Sequence, residues 1–548
     1  MLRYHEQPRA VPVPGRAGEG RRLALSGELH TLGYYSALVC LGQPGQPYDL
    51  IVDTGSSITA VPCAGCRQCG THLCGVKGRF DARTSSTAAP VVCPLSQSVQ
   101  GLSCESCIAH RCGYSVRYTE GSSIRGHILH DHAHFKREAR GGSGGGSALE
   151  RATSRIYFGC QMQETGMFFK QQADGIIGLQ RSHTRSKVPS VLSSLVREKQ
   201  SANAFSLCLS STSGMLLLGG RLRTAPDPLA PRTGRVLTVP MEPGARAAYT
   251  LRVQEMRVAV GQARCSASHS CVYRPMSRLP PSVFHPTIVD SGTTFMYAST
   301  PVWRALVDLI TKTLPDSFSK VGAKHCAALH EQELDALPTL QLGFTAHGGK
   351  GGLVIRPRHY MVEYPRLHKS RLRRAAFKQS ASTNASASRS YCVGIFDNQR
   401  AGTVIGASLI RQREVIFDLA RSAISFVESD CANISPATSA LEGGYAFDSC
   451  PASRNQTSTA EHARAARPTR KLLSPVRRGA GYHAGRGTAR GGAGRPRFLT
   501  GRDGMRGGVR GGGRGGVRGG GRGGGRGGAS LAARTAAAAG GVSESSLK

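Results

Sequence analysis

The sequence predicts a mainly β protein built as two lobes, with a cysteine-rich insertion in the first. Three observations carry that expectation. Short apolar stretches alternate with turn residues through most of residues 31–435, and helical spacing is confined to a few segments. Two similar strand-ending motifs, IVDTGSS at 51–57 and IVDSGTT at 288–294, fall in halves of the same plan. Eight cysteines crowd between Cys63 and Cys112, soon after the first motif. Many short strands with few helices pack as sheets rather than as a helical bundle.

Each element follows from its local pattern. Residues 1–30 read as a polar lead-in marked by Pro and Gly. YYSALVCLG and YDLIVDTG read as two strands joined by the turn QPGQP. After the cysteine block at about 63–112, CGYSVRYTEGSSIRGHILHDHAHF reads as a second strand pair with YTEGSS at its tip. Gly121 can supply the positive φ that such a turn needs. KREARGGSGGGS reads as an exposed insertion, and IYFGC, DGIIGLQ, AFSLCLS and MLLLGG as short strands or turns. VPSVLSSLVREK has helical spacing, and the first lobe is bounded at 31–230.

The second lobe, 231–435, repeats the plan. TIVDSGTT ends a strand, PVWRALVDLITKTL is a helix with Pro near its start, and LPTLQLGF is a strand. A basic, Ser-rich insertion at about 365–390 interrupts the lobe, and TVIGASLIRQREVIFDLARSAISFVES closes it as β-rich structure. Residues 436–548 are expected to be a disordered basic tail rich in Arg and Gly.

Charge and cysteines narrow the setting. The 548 residues carry a net charge of +37, with 19 Lys/Arg against two acidic residues from Arg464 onward. Both parts of the chain are basic, which favours acidic partners in general and names none. Arg-Gly repeats supply charge and stacking in RNA-binding proteins, but no aromatic-bearing RNA module accompanies them here. The tail is read as solvated, with nucleic acid at most a nonspecific partner. No run of 18 apolar residues suggests a membrane span, and the amino terminus shows no apolar leader.

Seventeen cysteines suit an oxidising lumen, endoplasmic reticulum or Golgi, so the true amino terminus is expected upstream of Met1. The eight cysteines 63, 66, 69, 74, 93, 104, 107 and 112 form an even, loop-rich set that suits disulfides. Their CxxC pairs also suit zinc, the rival reading. Cys265 with Cys271 could close a small hairpin, and Cys160 with Cys208 is a further candidate pair. No cofactor or metal is expected, and the histidines, His132 and His134 among them, read as surface residues.

The chemistry lies in the two Asp motifs. One Asp-Thr-Gly is weak, but two, each preceded by Ile-Val and followed by hydroxyl residues, point to a pair. Peptide hydrolysis needs an activated water and a proton donor at once. Two carboxylates a few ångström apart cannot both ionise, so they share one proton, one serving as base and the other as acid. Asp53 and Asp290 are the candidates. Ser56 and Thr293, three residues on, are placed to hold the carboxylates in plane, and Gly55 and Gly292 let backbone approach closely.

On these motifs, and on DGIIGL (174–179) and TVIGASL (403–409), the chain resembles pepsin-type aspartic proteases over roughly residues 33–432. The resemblance implies a bilobal fold with the site in the cleft, a monomer acting on polypeptide substrates, a hairpin flap with Tyr118 near its tip, and a bridge between Cys326 and Cys392. A narrower likeness rests on VPCAGCRQCG, YTEGSS, FGCQMQETGMFFKQQADGIIGL, REVIFD and FVESDC, which are similar to the plasmepsin V group of apicomplexan proteases. That group cuts Arg-x-Leu export motifs in the secretory pathway. By the likeness, Glu120 and Gln171 or Gln172 would bind the Arg side chain. Thr119 stands where the group has a Cys beside its flap Tyr. Plant nepenthesin-like enzymes, of broad specificity, share the insertion and are the alternative.

Overall fold

The computed structural model describes residues 20–29, 31–72, 78–95, 99, 101–138, 149–181, 188–219, 232–243, 248–260, 272–276, 279–314, 319–321, 324–344, 351–364, 389–432 and 450. Its architecture is overwhelmingly β. One long sheet runs from the second lobe into the first. The closing hairpin Arg413–Asp418 and Ala423–Ser429 pairs with Ala204–Leu209, which continues through Ser213–Leu218 to Arg21–Glu28 and Tyr34–Leu41. The sheet then reaches Gln46–Asp53, the strand that delivers the first Asp. Leu207, Leu216, Val415 and Phe417 are among the side chains it buries, with the Phe205 and Phe417 rings stacked at 4.4 Å.

The two lobes present their Asp loops by the same device. Gln46–Asp53 lies parallel to Gly175–Gly178, with Asp53 opposite Gly178. Thr287–Val289 lies parallel to Thr403–Ile405, with Val289 opposite Ile405. The glycine that ends or follows each second strand presses on the loop after the Asp. A β-carbon on Gly178 would meet the Ser56 carbonyl oxygen at 2.6 Å, and one on Gly406 the Thr293 carbonyl oxygen at 2.6 Å. Only glycine fits at either place.

The expected helices appear at Val191–Arg197 and Thr300–Thr311. In the second, Val302, Leu306 and Ile310 form the buried stripe that helical spacing implies. The strand Arg21–Glu28 falls inside the stretch expected to be a polar lead-in. Its period-two burial of Arg21, Leu23 and Leu25 was hidden by basic and small residues.

Cysteine pairing departs from the sequence reading. Cys160 and Cys208 are not partners: Cys63 bridges Cys160, and Cys208 bridges Cys431. The cause is register. Val61 lies opposite Cys160, bringing Cys63 beside it, while Cys208 borders the strand hairpin that leads to Cys431. Cys66–Cys69, Cys93–Cys107 and Cys104–Cys112 close within the insertion, and Cys326–Cys392 joins two paired strands. Cys40–Cys450 ties a residue of the expected tail to the first lobe. Cys74, Cys265 and Cys271, the basic insertion up to residue 388 and the rest of the tail lie outside the described residues. His132 and His134 are half-buried rather than on the surface, and a His134 ring nitrogen meets the Gly42 carbonyl oxygen at 2.7 Å.

Candidate active site

Each Asp loop satisfies its own carboxylate. Asp53 Oδ1 accepts from the Gly55 N–H at 2.7 Å and Oδ2 from the Ser56 hydroxyl at 2.6 Å. Asp290 repeats the pattern: Oδ1 accepts from Gly292 N–H at 3.0 Å and Oδ2 from the Thr293 hydroxyl at 2.7 Å. An Asp entering a Gly turn followed by a hydroxyl residue gains one backbone and one side-chain donor locally, which fixes its plane. The two carboxyls are 0% and 2% exposed and hydrogen-bond each other.

Burial raises both above the ordinary carboxylate range, and the charge of Asp290 raises Asp53 further. The donors from Ser56 and Gly55 on one side, and Thr293 and Gly292 on the other, oppose that rise without cancelling it. A buried pair of this kind holds a single proton across a wide pH range. Gly55 also forms a wall against the second carboxyl: a β-carbon there would stand 2.8 Å from Asp290 Oδ1.

Thr54 and Ser291, which the sequence reading passed over, lock the two loops together. The Thr54 N–H donates to Ser291 Oγ at 3.1 Å, and the Ser291 N–H donates to Thr54 Oγ1 at 2.9 Å. Their hydroxyls in turn donate across the lobes, Thr54 to Val289 O at 3.3 Å and Ser291 to Val52 O at 2.8 Å. The available signal was a hydroxyl residue directly after each Asp.

Above the pair lies the hairpin Arg111–Arg117 and Ser123–Glu138. Its tip is tight: Tyr118 N–H donates to Ser122 O at 2.8 Å, Gly121 N–H to Tyr118 O at 3.1 Å, and Gly121 has φ +95°. Tyr118 is buried, with its ring 4.8 Å from Phe168 and its hydroxyl 3.3 Å from Ser56 Oγ. The Ser56 proton is committed to Asp53, so the phenol donates in that contact. Burial and the neighbouring Asp53 hold the Tyr118 hydroxyl protonated. Trp303 is occupied elsewhere, donating its Nε1 to Ile395 O at 3.2 Å.

The remaining candidates are spread around this centre. Glu120 is exposed at the tip, with its carboxylate bonded to Ser122, and partial desolvation raises it. Gln171 is half-buried, its amide donating to Ala173 O at 3.3 Å. Gln172 is exposed and lines a cavity of about 260 Å³ with Glu28, Leu32, Tyr34, Asp49 and Thr212. Glu120 is not among that cavity's lining residues.

Two family models, described as xylanase inhibitor N-terminal and xylanase inhibitor C-terminal, match residues 35–220 and 248–428. The chain belongs to the pepsin-type aspartic protease family. Within that family it is 29% identical over 197 residues to plasmepsin V of Plasmodium falciparum, covering 36% of this chain and 30% of the relative. It is 31% identical over 219 residues to aspartic protease 5 of Toxoplasma gondii, covering 36% of this chain and 21% of the relative. An Arabidopsis thaliana relative, aspartyl protease family protein 1, is 24% identical over 417 residues, covering 73% of this chain and 68% of its own length. The chain therefore matches less than a third of the length of the two apicomplexan proteins.

Proposed function

We propose that the chain is an aspartic endopeptidase in which Asp53 and Asp290 share one proton. The observation that carries this reading is the matched pair of buried, mutually hydrogen-bonded carboxyls, each held by a Gly N–H and a hydroxyl. The ionised member takes a proton from water as the oxygen attacks the scissile carbonyl, and the protonated member donates to the carbonyl oxygen. Collapse of the resulting gem-diol breaks the C–N bond and passes a proton to the leaving amine, restoring the one-proton pair. Tyr118 closes the site from above and limits water there.

The inhibitor wording of the family models, or a tail tethered to nucleic acid, suggests a rival in which the cleft binds without cutting. The complete donor sets on both carboxyls favour catalysis. Incubating the full chain with an unfolded polypeptide and reading new termini by mass spectrometry tests it; no cleavage at any acidic or neutral pH would overturn the enzyme reading.

The finer reading is a plasmepsin V-like protease of the secretory pathway that selects an Arg-x-Leu motif. It is supported by the apicomplexan matches, by Glu120 on the hairpin over the pair, and by Gln172 beside a cavity that also holds Glu28 and Asp49. A guanidinium pairs well with carboxylate and amide oxygens in a sheltered pocket. Seven disulfides among the described residues fit an oxidising lumen. Arg-x-Leu, Lys-x-Leu and Ala-x-Leu peptides separate this from a broad nepenthesin-like specificity. Equal kcat/KM on all three would remove the Arg pocket and leave the protease standing. Glu120→Ala is expected to erase the preference.

A further inference from the structure

Ninety-two residues separate His72, in the cysteine insertion, from Glu164, yet the two form a buried ion pair. His72 Nε2 lies 3.0 Å from Glu164 Oε2, with side-chain exposures of 5% and 0%. The other ring nitrogen, Nδ1, lies 2.9 Å from the Ala173 carbonyl oxygen. A carbonyl and a carboxylate both need a donor, so only the doubly protonated imidazolium satisfies both contacts. The same Glu164 oxygen also accepts from the Gly70 N–H at 3.0 Å, and Glu164 N–H donates to Gln68 O at 2.8 Å.

What this pair holds is the seat of the flap. Between Glu164 and Ala173, Thr165 exchanges backbone and hydroxyl bonds with Ser123, and Met167 N–H donates to Ser122 Oγ at 2.8 Å. Phe168 packs on Tyr118, Gln171 and Gln172 follow, and Ala173 N–H donates to the Tyr34 hydroxyl at 3.0 Å. The insertion segment 68–72 therefore grips both ends of the stretch that supports the flap tip and carries the glutamines. Neither residue of the ion pair is used by the chemistry assigned to Asp53 and Asp290.

We propose that His72 is a positioning residue, and that its imidazolium clamps residues 164–173 so that the flap and the glutamine loop are ordered for substrate. The proposal rests on the protease reading and adds a pH dependence to it. Glu164, at the end of its strand, and Asp174, before the next, are the acidic groups acting on the ring. Of the neighbouring bases, Lys170 is exposed and the Arg79 guanidinium is bonded to the Cys66 and Cys69 carbonyls. Burial lowers the affinity of His72 for its proton, but the Glu164 contact outweighs it, and the net shift is upward from 6.5. The clamp is thus complete below the ordinary histidine range and is lost as pH rises through the raised value.

The experiment is the pH dependence of kcat and KM separately, for the full chain and for His72→Gln and Glu164→Gln, with one peptide substrate. In the unaltered chain KM is expected to rise by about tenfold per pH unit once the ring deprotonates. Glu164→Gln removes the carboxylate that holds the ring charged, while its amide oxygen can still accept from the Gly70 N–H. The rise in KM then begins at lower pH, while kcat keeps the limb set by the carboxyl pair. His72→Gln shows a high, pH-flat KM. Identical KM profiles in all three would overturn the clamp. If His72→Gln fails to fold, the comparison with Glu164→Gln decides alone. A chain with no activity at all would refute the protease reading instead.

Discussion

Ser56→Ala probes the link between the hairpin and the carboxyl pair. The substitution deletes a 2.6 Å hydroxyl bond to Asp53 Oδ2 and, with it, the contact at 3.3 Å that anchors the Tyr118 phenol. A hydrogen bond to a charged acceptor contributes about 1.5–3 kcal/mol. Asp53 is fully buried, so solvent does not replace the bond. At about 1.4 kcal/mol per pH unit, its loss raises the Asp53 titration by roughly 1–2 units. The sign is fixed because the bond stabilises the ionised carboxylate, and removing it favours the protonated form. The active pair carries one proton, so the acid limb of kcat/KM moves to higher pH by that amount. Continuous cleavage of an internally quenched peptide across the acid range reads the limb directly. An acid limb that stays in place, or moves to lower pH, would refute the assignment of Ser56 as the donor that keeps Asp53 ionised.

Two further substitutions test the frame around the pair. Thr54→Val keeps the shape of the side chain but strands the Ser291 N–H and removes the donor to Val289 O, at a cost of about 2–4 kcal/mol in denaturant unfolding; a loss under about 0.5 kcal/mol would mean the inter-lobe bonds contribute little. Gly55→Ala places a methyl 2.8 Å from Asp290 Oδ1, so kcat is expected to fall by about a hundredfold with little change in melting temperature. Near-normal turnover by that variant would show that the carboxyls are not confined as described.

Much of this arrangement was legible in the sequence because the signals were local. An apolar strand that ends in Asp-x-Gly and a hydroxyl residue carries its own donors within three positions, and both copies form the bonds that spacing implies. The helix Thr300–Thr311 announced itself by its buried stripe and its Pro at the first turn. What stayed hidden depends on contacts between distant segments. Cys208 meets Cys431 across 223 residues, and no spacing rule selects that partner over Cys160. Thr54 and Ser291 meet only because the two loops face each other; each alone is an ordinary turn residue. His72 reads as one histidine among eighteen until the fold brings Glu164 and Ala173 to its two nitrogens. The Gln172 cavity is assembled from residues as far apart as Glu28 and Thr212.

The central claim is that Asp53 and Asp290 act as one unit with one proton. Its most direct measurement is kcat/KM as a function of pH for the unaltered chain beside Asp53→Asn and Asp290→Asn, each checked for a native melting transition. The account predicts a bell-shaped profile for the unaltered chain and no turnover above background for either variant at any pH. Turnover retained by a folded variant of either Asp would contradict it.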